Sequence, residues 1–146
     1  MMKSKIFLFM MLPGILLSCQ QKSQPESPEV LKQVLFDFYD GVEFKDFDKI
    51  RNATSSDFTA FIDGKIWNTD SMINILKSYP PFEVDYSYDD FKINIGDSLG
   101  YINYFIRGDF VFSDTLSLRY DWLESATFRK VEDQWKMNFM HTTTIE

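Results

Sequence analysis

Residues 116–143 read LSLRYDWLESATFRKVEDQWKMNFMHTT. Apolar and aromatic side chains recur at every second position on both sides of a polar turn at Glu132-Asp133, which predicts two antiparallel strands. The same period of two runs back along the chain to Val84. It is interrupted by a doubled acid at Asp89-Asp90, which predicts a bulge, and by a turn at residues 96–100. The second half of the chain is therefore predicted to be a four-stranded antiparallel meander.

Upstream of residue 82 the hydrophobic period is helical. Residues 27–43 combine a Ser-Pro-Glu start with apolar side chains at helical spacing, and residues 46–52 and 71–78 predict two shorter helices behind capping residues. Between the short helices, residues 58–67 are rich in aromatic side chains and carry Asp63-Gly64, which predicts a hairpin. Helices followed by a meander predict an α+β fold, in which one sheet face wraps about three helices. The other face is left to solvent or to an oligomer contact.

Residues 1–18 have the pattern of a secretory signal peptide, with two lysines, a short apolar run and small residues. The Leu16-Leu17-Ser18-Cys19 stretch resembles the lipobox of bacterial lipoproteins. That resemblance implies a lipid on Cys19 and a bacterial cell-envelope location, at the periplasmic or outer-membrane face. A plain secretory signal with an incidental cysteine is the alternative. Residues 19–27 are typical of a flexible tether, and residues 28–146 are predicted to form the domain.

Composition excludes several classes of function. The 146 residues carry 15 Lys+Arg and 22 Asp+Glu, a formal net charge of −7, and removal of the two signal-peptide lysines gives 13 − 22 = −9. This acidity argues against a nucleic-acid partner, because phosphate binding depends on basic side chains. One cysteine and one histidine exclude a disulfide framework and a multi-cysteine or poly-histidine metal centre, so we expect no metal and no cofactor. The length suits one domain.

The mature chain combines a helix pair, a Phe58-x-x-Phe61-x-Asp63-Gly64-x-x-Trp67 hairpin, a capped third helix and a final hairpin that begins Trp122-x-Glu124-Ser125-Ala126. From about Pro28 to Ile145 this combination resembles the nuclear transport factor 2-like superfamily, and most of all its SnoaL-like branch. The resemblance implies a curved sheet that wraps the helices into a cone with an open pocket, often in a dimer. Members include isomerases, cyclases, dehydratases, hydrolases and non-catalytic binding domains, so the resemblance does not imply a reaction.

The best candidate for chemistry lies in the final hairpin. Glu124 falls in the apolar stripe of its strand, and His141 continues the stripe of the next strand. With the turn near Glu132, both stripes are predicted on one side of the sheet, so that Glu124 lies opposite or diagonal to His141. The pair is either a polar tie between two strands at the pocket mouth, or a functional pair that acts as acid and base or anchors a polar group of a ligand.

Other residues are candidates for lining the pocket. They are aromatic side chains of the first helix, the hairpin and the meander: Tyr39, Phe58, Trp67, Tyr104, Tyr120, Trp122 and Phe139. A likeness to ketosteroid isomerase implies an oxyanion-donor role for Tyr39 and the roles of base and second donor for carboxylates, of which Asp57 and Asp63 flank the strand that follows. Counting along that strand places Ile62 as readily as Asp63 at the position of the base. Asp63 precedes a glycine, however, and the pattern favours a hairpin turn residue instead.

Three functions are compatible with these patterns. The first is a lipid-anchored envelope domain that binds a small molecule or a partner in its pocket without catalysis. The second is a pocket enzyme of isomerase or dehydratase type that uses acid/base proton transfer, and the third is a structural or accessory envelope protein. Apolar residues on both faces of strand 101–112 exceed what three short helices cover, which predicts a homodimer through the exposed sheet face.

Overall fold

A computed structural model describes residues 26–145 of the chain. The predicted signal peptide (residues 1–18), Cys19 and all but the end of the predicted tether lie outside the described residues, as does Glu146. Within the described residues, the helices are all too short or too polar to cross a bilayer.

Three helices occupy the first half of the domain, and each begins at a capping residue. Helix α1 spans Glu29–Glu43, α2 spans Phe47–Ala53 and α3 spans Thr69–Ser78. Asp46 accepts the Lys49 backbone N–H at 3.0 Å, and Asn68 forms a reciprocal capping box with Ser71. The three predicted helices are confirmed, with α1 beginning two residues after Ser27 and α3 beginning two residues before the predicted start.

Six strands form one sheet in the spatial order β2-β1-β6-β5-β4-β3. The strands are β1 (Thr54–Ile62), β2 (Lys65–Trp67), β3 (Glu83–Ile95), β4 (Leu99–Ser113), β5 (Leu116–Val131) and β6 (Gln134–Thr144). All neighbours are antiparallel except β1 and β6, which pair in parallel. The predicted α+β class, the hairpin and the four-stranded meander are confirmed, and the sequence pattern did not indicate the parallel pair.

Turn chemistry fixes two of the strand connections. Asp63 and Gly64 have φ values of 48° and 73°, and Glu132 and Asp133 have φ values of 50° and 62°. Two consecutive residues with positive φ make the tight turn that matches the twist of a hairpin. Asp63 is therefore a turn residue, as its Asp-Gly pattern predicted. The predicted bulge is also present, since the β3–β4 register shifts between Asp89 and Lys92, with Asp90 at φ 56°.

The helices pack on the inner face of the sheet and form the core with it. Helix α1 buries Leu31, Leu35, Phe38 and Tyr39 against inward-facing residues of β4, β5 and β6. The close approach of α1 to β4 requires a glycine at position 100, because a Cβ there would lie 2.6 Å from the Leu31 side chain. The inner face is less covered at the end of the sheet where β4 turns into β5. Leu118 and Tyr120 of β5 stay exposed there, with Tyr120 at 41%.

The outer face of the sheet carries both polar and apolar side chains. Phe105 of β4 lies opposite Leu123 of β5, and Leu123 is 56% exposed. Phe61 of β1 and Phe139 of β6 meet edge to face beside them, with ring centroids 5.2 Å apart. This outer face is the surface for which the sequence predicts a contact with a second copy.

Candidate functional site

A buried carboxyl group, Glu124, lies at the centre of the inner sheet face. Only 6% of the surface of Glu124 is exposed to solvent. The Tyr39 and Tyr104 hydroxyls both donate to its Oε2, and the Thr142 hydroxyl donates to its Oε1 at 2.8 Å. Both carboxylate oxygens are therefore bonded to neutral protein donors. We call these four residues the Glu124 network.

Strand register and helix periodicity bring the Glu124 network together. Tyr104 of β4 lies directly opposite Glu124 of β5, and Thr142 of β6 lies opposite it on the other side. Directly opposed residues point to the same sheet face, so all three side chains reach into the cone. Tyr39 comes from α1, four residues after the buried Leu35, on the helix face that packs against the sheet.

Burial and hydrogen bonding act in opposite directions on the acidity of the Glu124 network. Burial raises the pKa of the Glu124 carboxyl, and the bonds from Tyr104, Tyr39 and Thr142 partly offset this by favouring the charged form. Burial also raises the pKa values of Tyr39 and Tyr104 well above their ordinary range, and the neighbouring Glu124 charge raises them further. Both phenols thus stay protonated as donors. Chemically, the arrangement can hold a proton on a buried carboxyl or pass it between the carboxyl and a phenol.

Aromatic rings surround the Glu124 network inside the cone. The Tyr39 ring centroid lies 4.9 Å from that of Tyr86 and 5.8 Å from that of Tyr88, and Phe91 stacks on Tyr104 at 5.8 Å. Burial likewise raises the pKa values of Tyr86 and Tyr88. A substrate would have to displace one of these rings, or a hydroxyl bond, to reach the carboxyl.

His141 does not lie beside Glu124, and the predicted pairing is wrong. His141 lies opposite Ser125 and is exposed on the outer face, whereas Thr142 takes the position opposite Glu124. The cause is an extra residue in β6. Thr127 pairs with Phe139 but the next residue, Phe128, pairs with Met137, so Asn138 is bulged out and the side-chain alternation slips by one.

The same slip moves Phe139 out of the predicted pocket lining. Phe139 lies on the outer face against Phe61, while Phe58 is buried under α1 with its ring 6.1 Å from that of Phe38. Trp67 is half-buried in the short strand β2. Asp57 does not reach the cone interior, since its carboxylate binds Ser55 and Arg129. Of the predicted lining, Tyr39 and Tyr104 contact Glu124 directly.

Tyr120 and Trp122 line a second inner-face surface, at the end of the sheet where β4 turns into β5. Their rings stack at 5.5 Å with an interplanar angle of 17°. Phe110 and Phe112 of β4 and Phe82, which precedes β3, extend this surface, with centroid distances of 5.7–6.3 Å. We call these five residues, together with Tyr86, the aromatic mouth. Of the aromatic mouth, only Tyr120 and Trp122 were singled out from the sequence as pocket lining. Four residues were missed, although three of them follow the apolar alternation of their strands: Phe82, Tyr86, Phe110 and Phe112.

The outer face carries two shallow cavities, and His141 lines both. One, of about 290 Å³, lies between Lys92, Asn103, Leu123 and His141. The other, of about 520 Å³, lies beside the β1–β2 hairpin and is lined by Phe61, Ile66 and the end of β6. Across residues 26–145, the structure groups no three His, Cys, Asp or Glu side chains in a way that would hold a metal ion.

Comparison with known proteins identifies the fold. No protein-family model and no curated protein sequence matches the chain. Solved structures do. An NTF2-like (nuclear transport factor 2-like) protein from Cytophaga hutchinsonii superposes with a TM-score of 0.72 at 13% identity, over 82% of this chain and 99% of that one. The S. rosetta CaMKII hub superposes with a TM-score of 0.71 at 14% identity, over 84% of this chain and 100% of that one. A ketosteroid isomerase-like protein from Erwinia carotovora superposes with a TM-score of 0.66 at 12% identity, over 83% of this chain and 98% of that one. The chain therefore has the nuclear transport factor 2-like fold that its motifs resemble.

Proposed function

We propose that this protein is a lipid-anchored domain of the bacterial cell envelope that binds a small apolar or flat molecule at the aromatic mouth of its cone, without catalysis. One observation carries the proposal. The inner sheet face carries a continuous, half-buried aromatic surface at the mouth, with Tyr120 exposed at 41%, whereas the only buried carboxyl among the described residues is fully bonded to protein hydroxyls. Exposed aromatic surface of this kind is characteristic of ligand-binding and interaction sites.

The backbone beneath the aromatic mouth supports ring-on-ring binding. Gly108 of β4 lies under it, and a Cβ there would come within 2.7 Å of Phe110, 3.1 Å of Trp122 and 3.2 Å of Tyr86. Three rings thus pack directly against a backbone position that has no side chain. A flat ligand can stack on the half-exposed Tyr120 and Trp122 faces without moving the rings beneath.

Ligand binding at the mouth is tested with indole, an uncharged flat probe. The chain has three tryptophans, so ¹⁵N NMR resolves three indole N–H signals, assigned by Trp67→Phe and Trp122→Leu. We expect indole to shift the Trp122 signal and to leave that of Trp135, near the opposite end of β5, unchanged. Equal shifts of all three signals, or none, would overturn the proposed site.

The Leu16-Leu17-Ser18-Cys19 stretch behind an apolar run supports the lipid-anchored part of the proposal, and the short connection from Cys19 to the domain determines how an anchored domain would be oriented. Glu26 accepts hydrogen bonds from Lys130 and from the Trp135 indole N–H, so the chain enters the domain at the β5–β6 turn. Glu26 lies only 26 − 19 = 7 positions after Cys19, a reach of at most about 25 Å. Tyr120 lies ten residues further along β5 from Lys130, or roughly 33 Å away. A lipid on Cys19 would hold the β5–β6 turn near the bilayer and point the aromatic mouth away from it.

The location is tested by replacing the cysteine. Cys19→Ser should release the protein to the soluble envelope fraction or block its processing, while wild type stays with membranes until detergent is added. Wild-type protein recovered freely soluble from the periplasm would contradict lipid anchoring.

A second candidate function is an enzyme of isomerase or dehydratase type that uses the Glu124 network. The supporting observation is a buried carboxyl of raised pKa held between two protonated phenols, a combination suited to proton transfer. One fold neighbour is described as ketosteroid isomerase-like. This candidate predicts that Glu124→Gln abolishes turnover while Tyr104→Phe reduces it. A ligand that binds Glu124→Gln as well as wild type would instead favour the binding domain.

We also propose that the protein forms a homodimer through the outer face of its sheet. The exposed Leu123 and Phe61 side chains, together with the half-buried Phe105, provide the apolar centre that a two-fold contact between copies needs. One fold neighbour is a kinase hub. A dimer through this face leaves the aromatic mouth of each copy open, because the mouth lies on the inner face.

A further inference from the structure

We propose that the aromatic mouth selects an organic cation, a small quaternary or primary ammonium compound, over neutral molecules of the same shape. This inference rests on the proposed ligand-binding function and names the chemical class of its ligand. It follows from the position of one carboxylate beside the rings and from an ammonium group of the chain itself that already lies on one of them.

The rings offer the faces that a cation prefers. Around Gly108, the rings of Tyr86 and Phe110 meet at 89° and those of Phe110 and Trp122 also meet at 89°. Tyr120 stacks beside Trp122 and is the most exposed of the set. The faces of aromatic rings carry partial negative charge. The rings that meet at right angles cover one another's faces, so the exposed Tyr120 ring offers the face that a positive group can reach.

Glu43 places a carboxylate next to these rings. It is the last residue of α1, is half-buried, and lies one helical turn beyond Tyr39, whose ring centroid is 4.9 Å from that of Tyr86. Burial raises the pKa of Tyr86, and the neighbouring Glu124 and Glu43 charges raise it further. Burial first, then Asp40 and Asp85, raise the pKa of Glu43 itself. Asp40 is paired with Lys49 at 2.8 Å, whereas within residues 26–145 no lysine or arginine nitrogen lies within ion-pair distance of Glu43. A ligand cation would supply the missing positive charge.

Lys45 shows that an ammonium group is accommodated at the edge of the mouth. Its Nζ lies 5.0 Å from the centroid of the Phe82 ring and donates to the backbone carbonyls of Tyr79 and Pro80 at 3.2 and 3.3 Å. These two carbonyls hold the lysine at the Phe82 side. The Tyr120 and Trp122 faces remain available. The local balance of Asp40, Glu43 and Asp85 against Lys45 and Lys49 stays negative, as does the whole domain.

The donor set argues for an organic cation over a metal ion. Divalent cations need several oxygen ligands converging on one point. Glu43 offers a single carboxylate to the mouth, and the other lining groups are rings. Aromatic faces with one carboxylate instead match the recognition of alkylammonium groups.

The test compares choline with 3,3-dimethylbutan-1-ol, which has the same shape but no charge. Binding is measured by ¹⁵N NMR as the shift of the Trp122 indole N–H in low salt. Glu43→Gln removes the carboxylate beside the rings. Glu132→Gln makes the same change of net charge in the exposed β5–β6 turn, at the opposite end of the sheet, and is the matched control.

We expect wild type and Glu132→Gln to bind choline at least about fivefold more tightly than the neutral alcohol. Glu43→Gln should retain the alcohol and lose most of the preference. Equal binding of the two compounds by wild type, or an unchanged preference in Glu43→Gln, would overturn the inference while leaving ligand binding at the mouth intact. Failure of choline, the alcohol and indole alike to shift the Trp122 signal would overturn the proposed function itself.

Discussion

Replacement of Glu124 by glutamine tests how the buried carboxyl contributes to stability. The glutamine carbonyl can still accept from Tyr39 and Tyr104, but its NH₂ group then faces Thr142, which must turn from donor to acceptor. One disturbed buried hydrogen bond costs about 1–3 kcal/mol of the free energy of unfolding. Glu124→Leu removes the acceptor of all three hydroxyls and is expected to cost at least about 3 kcal/mol.

The cost of Glu124→Gln should depend on pH, with a sign that the structure fixes. Burial raises the pKa of Glu124 in the folded state above its ordinary value of 4.5. The folded protein therefore binds more protons than the unfolded chain between 4.5 and the folded pKa, so the stability contributed by this group falls as pH rises through that interval. Glutamine does not titrate. The difference in unfolding free energy between wild type and Glu124→Gln should be largest below pH 4.5 and shrink at higher pH.

The measurement is urea unfolding of wild type, Glu124→Gln and Glu124→Leu, followed by tryptophan fluorescence at several pH values from 4 to 8. The difference between wild type and Glu124→Gln cancels the titration of the other carboxyl groups. A difference that grows as pH rises would mean that the folded state favours the charged carboxylate. The assignment of burial as the dominant cause would then be wrong.

Three further predictions concern other parts of the molecule. Gly108→Ala should lower the unfolding free energy by about 1–3 kcal/mol and weaken indole binding, because the new Cβ meets the Phe110 and Trp122 rings. Urea unfolding measures the stability and NMR titration measures the indole affinity. If neither quantity changes, the rings move aside to make room for the Cβ. Leu123→Glu should convert a dimer into a monomer in sedimentation equilibrium. The control Leu116→Glu also introduces a charge at an exposed leucine, but away from Phe105 and Phe61, and should leave the dimer intact. A wild type that is monomeric at high micromolar concentration would contradict the outer-face contact. Asp63→Val should destabilise the β1–β2 hairpin by about 1 kcal/mol, because a β-branched residue disfavours φ 48°; equal urea midpoints for the variant and wild type would exclude this effect.

Local patterns predicted the helices, the meander and the turns because each of these depends on nearby residues. Asp46 and Asn68 cap their helices through bonds that reach only three residues along the chain. Asp63-Gly64 makes its turn through backbone preferences of those two residues. The parallel pairing of β1 with β6 joins residues about 80 positions apart, and neither strand carries a local signal for that choice of partner.

The position of the candidate site was partly predictable. Period two places Glu124 inward among apolar residues, and the buried carboxyl follows from that alternation. Tyr39 continues the helical line of Leu31 and Leu35 at intervals of four, so its burial was present in the sequence, although its contact with Glu124 was not. The strand residues of the aromatic mouth follow the same period-two alternation as Glu124. How much of each ring is exposed depends, however, on where α1 ends above the sheet.

The error at His141 has a single structural cause with a chemical consequence. The bulge at Asn138 carries no doubled acid of the kind that marked the β3 bulge, so strict alternation was the natural expectation through residue 141. Because of that one extra residue, Glu124 faces the hydroxyl of Thr142 instead of an imidazole. A cationic partner would favour the charged carboxylate and lower its pKa, whereas three neutral hydroxyl donors offset only part of the effect of burial. The bulge thus decides that the centre of this cone holds a carboxyl group bonded to three neutral hydroxyls in place of an ion pair.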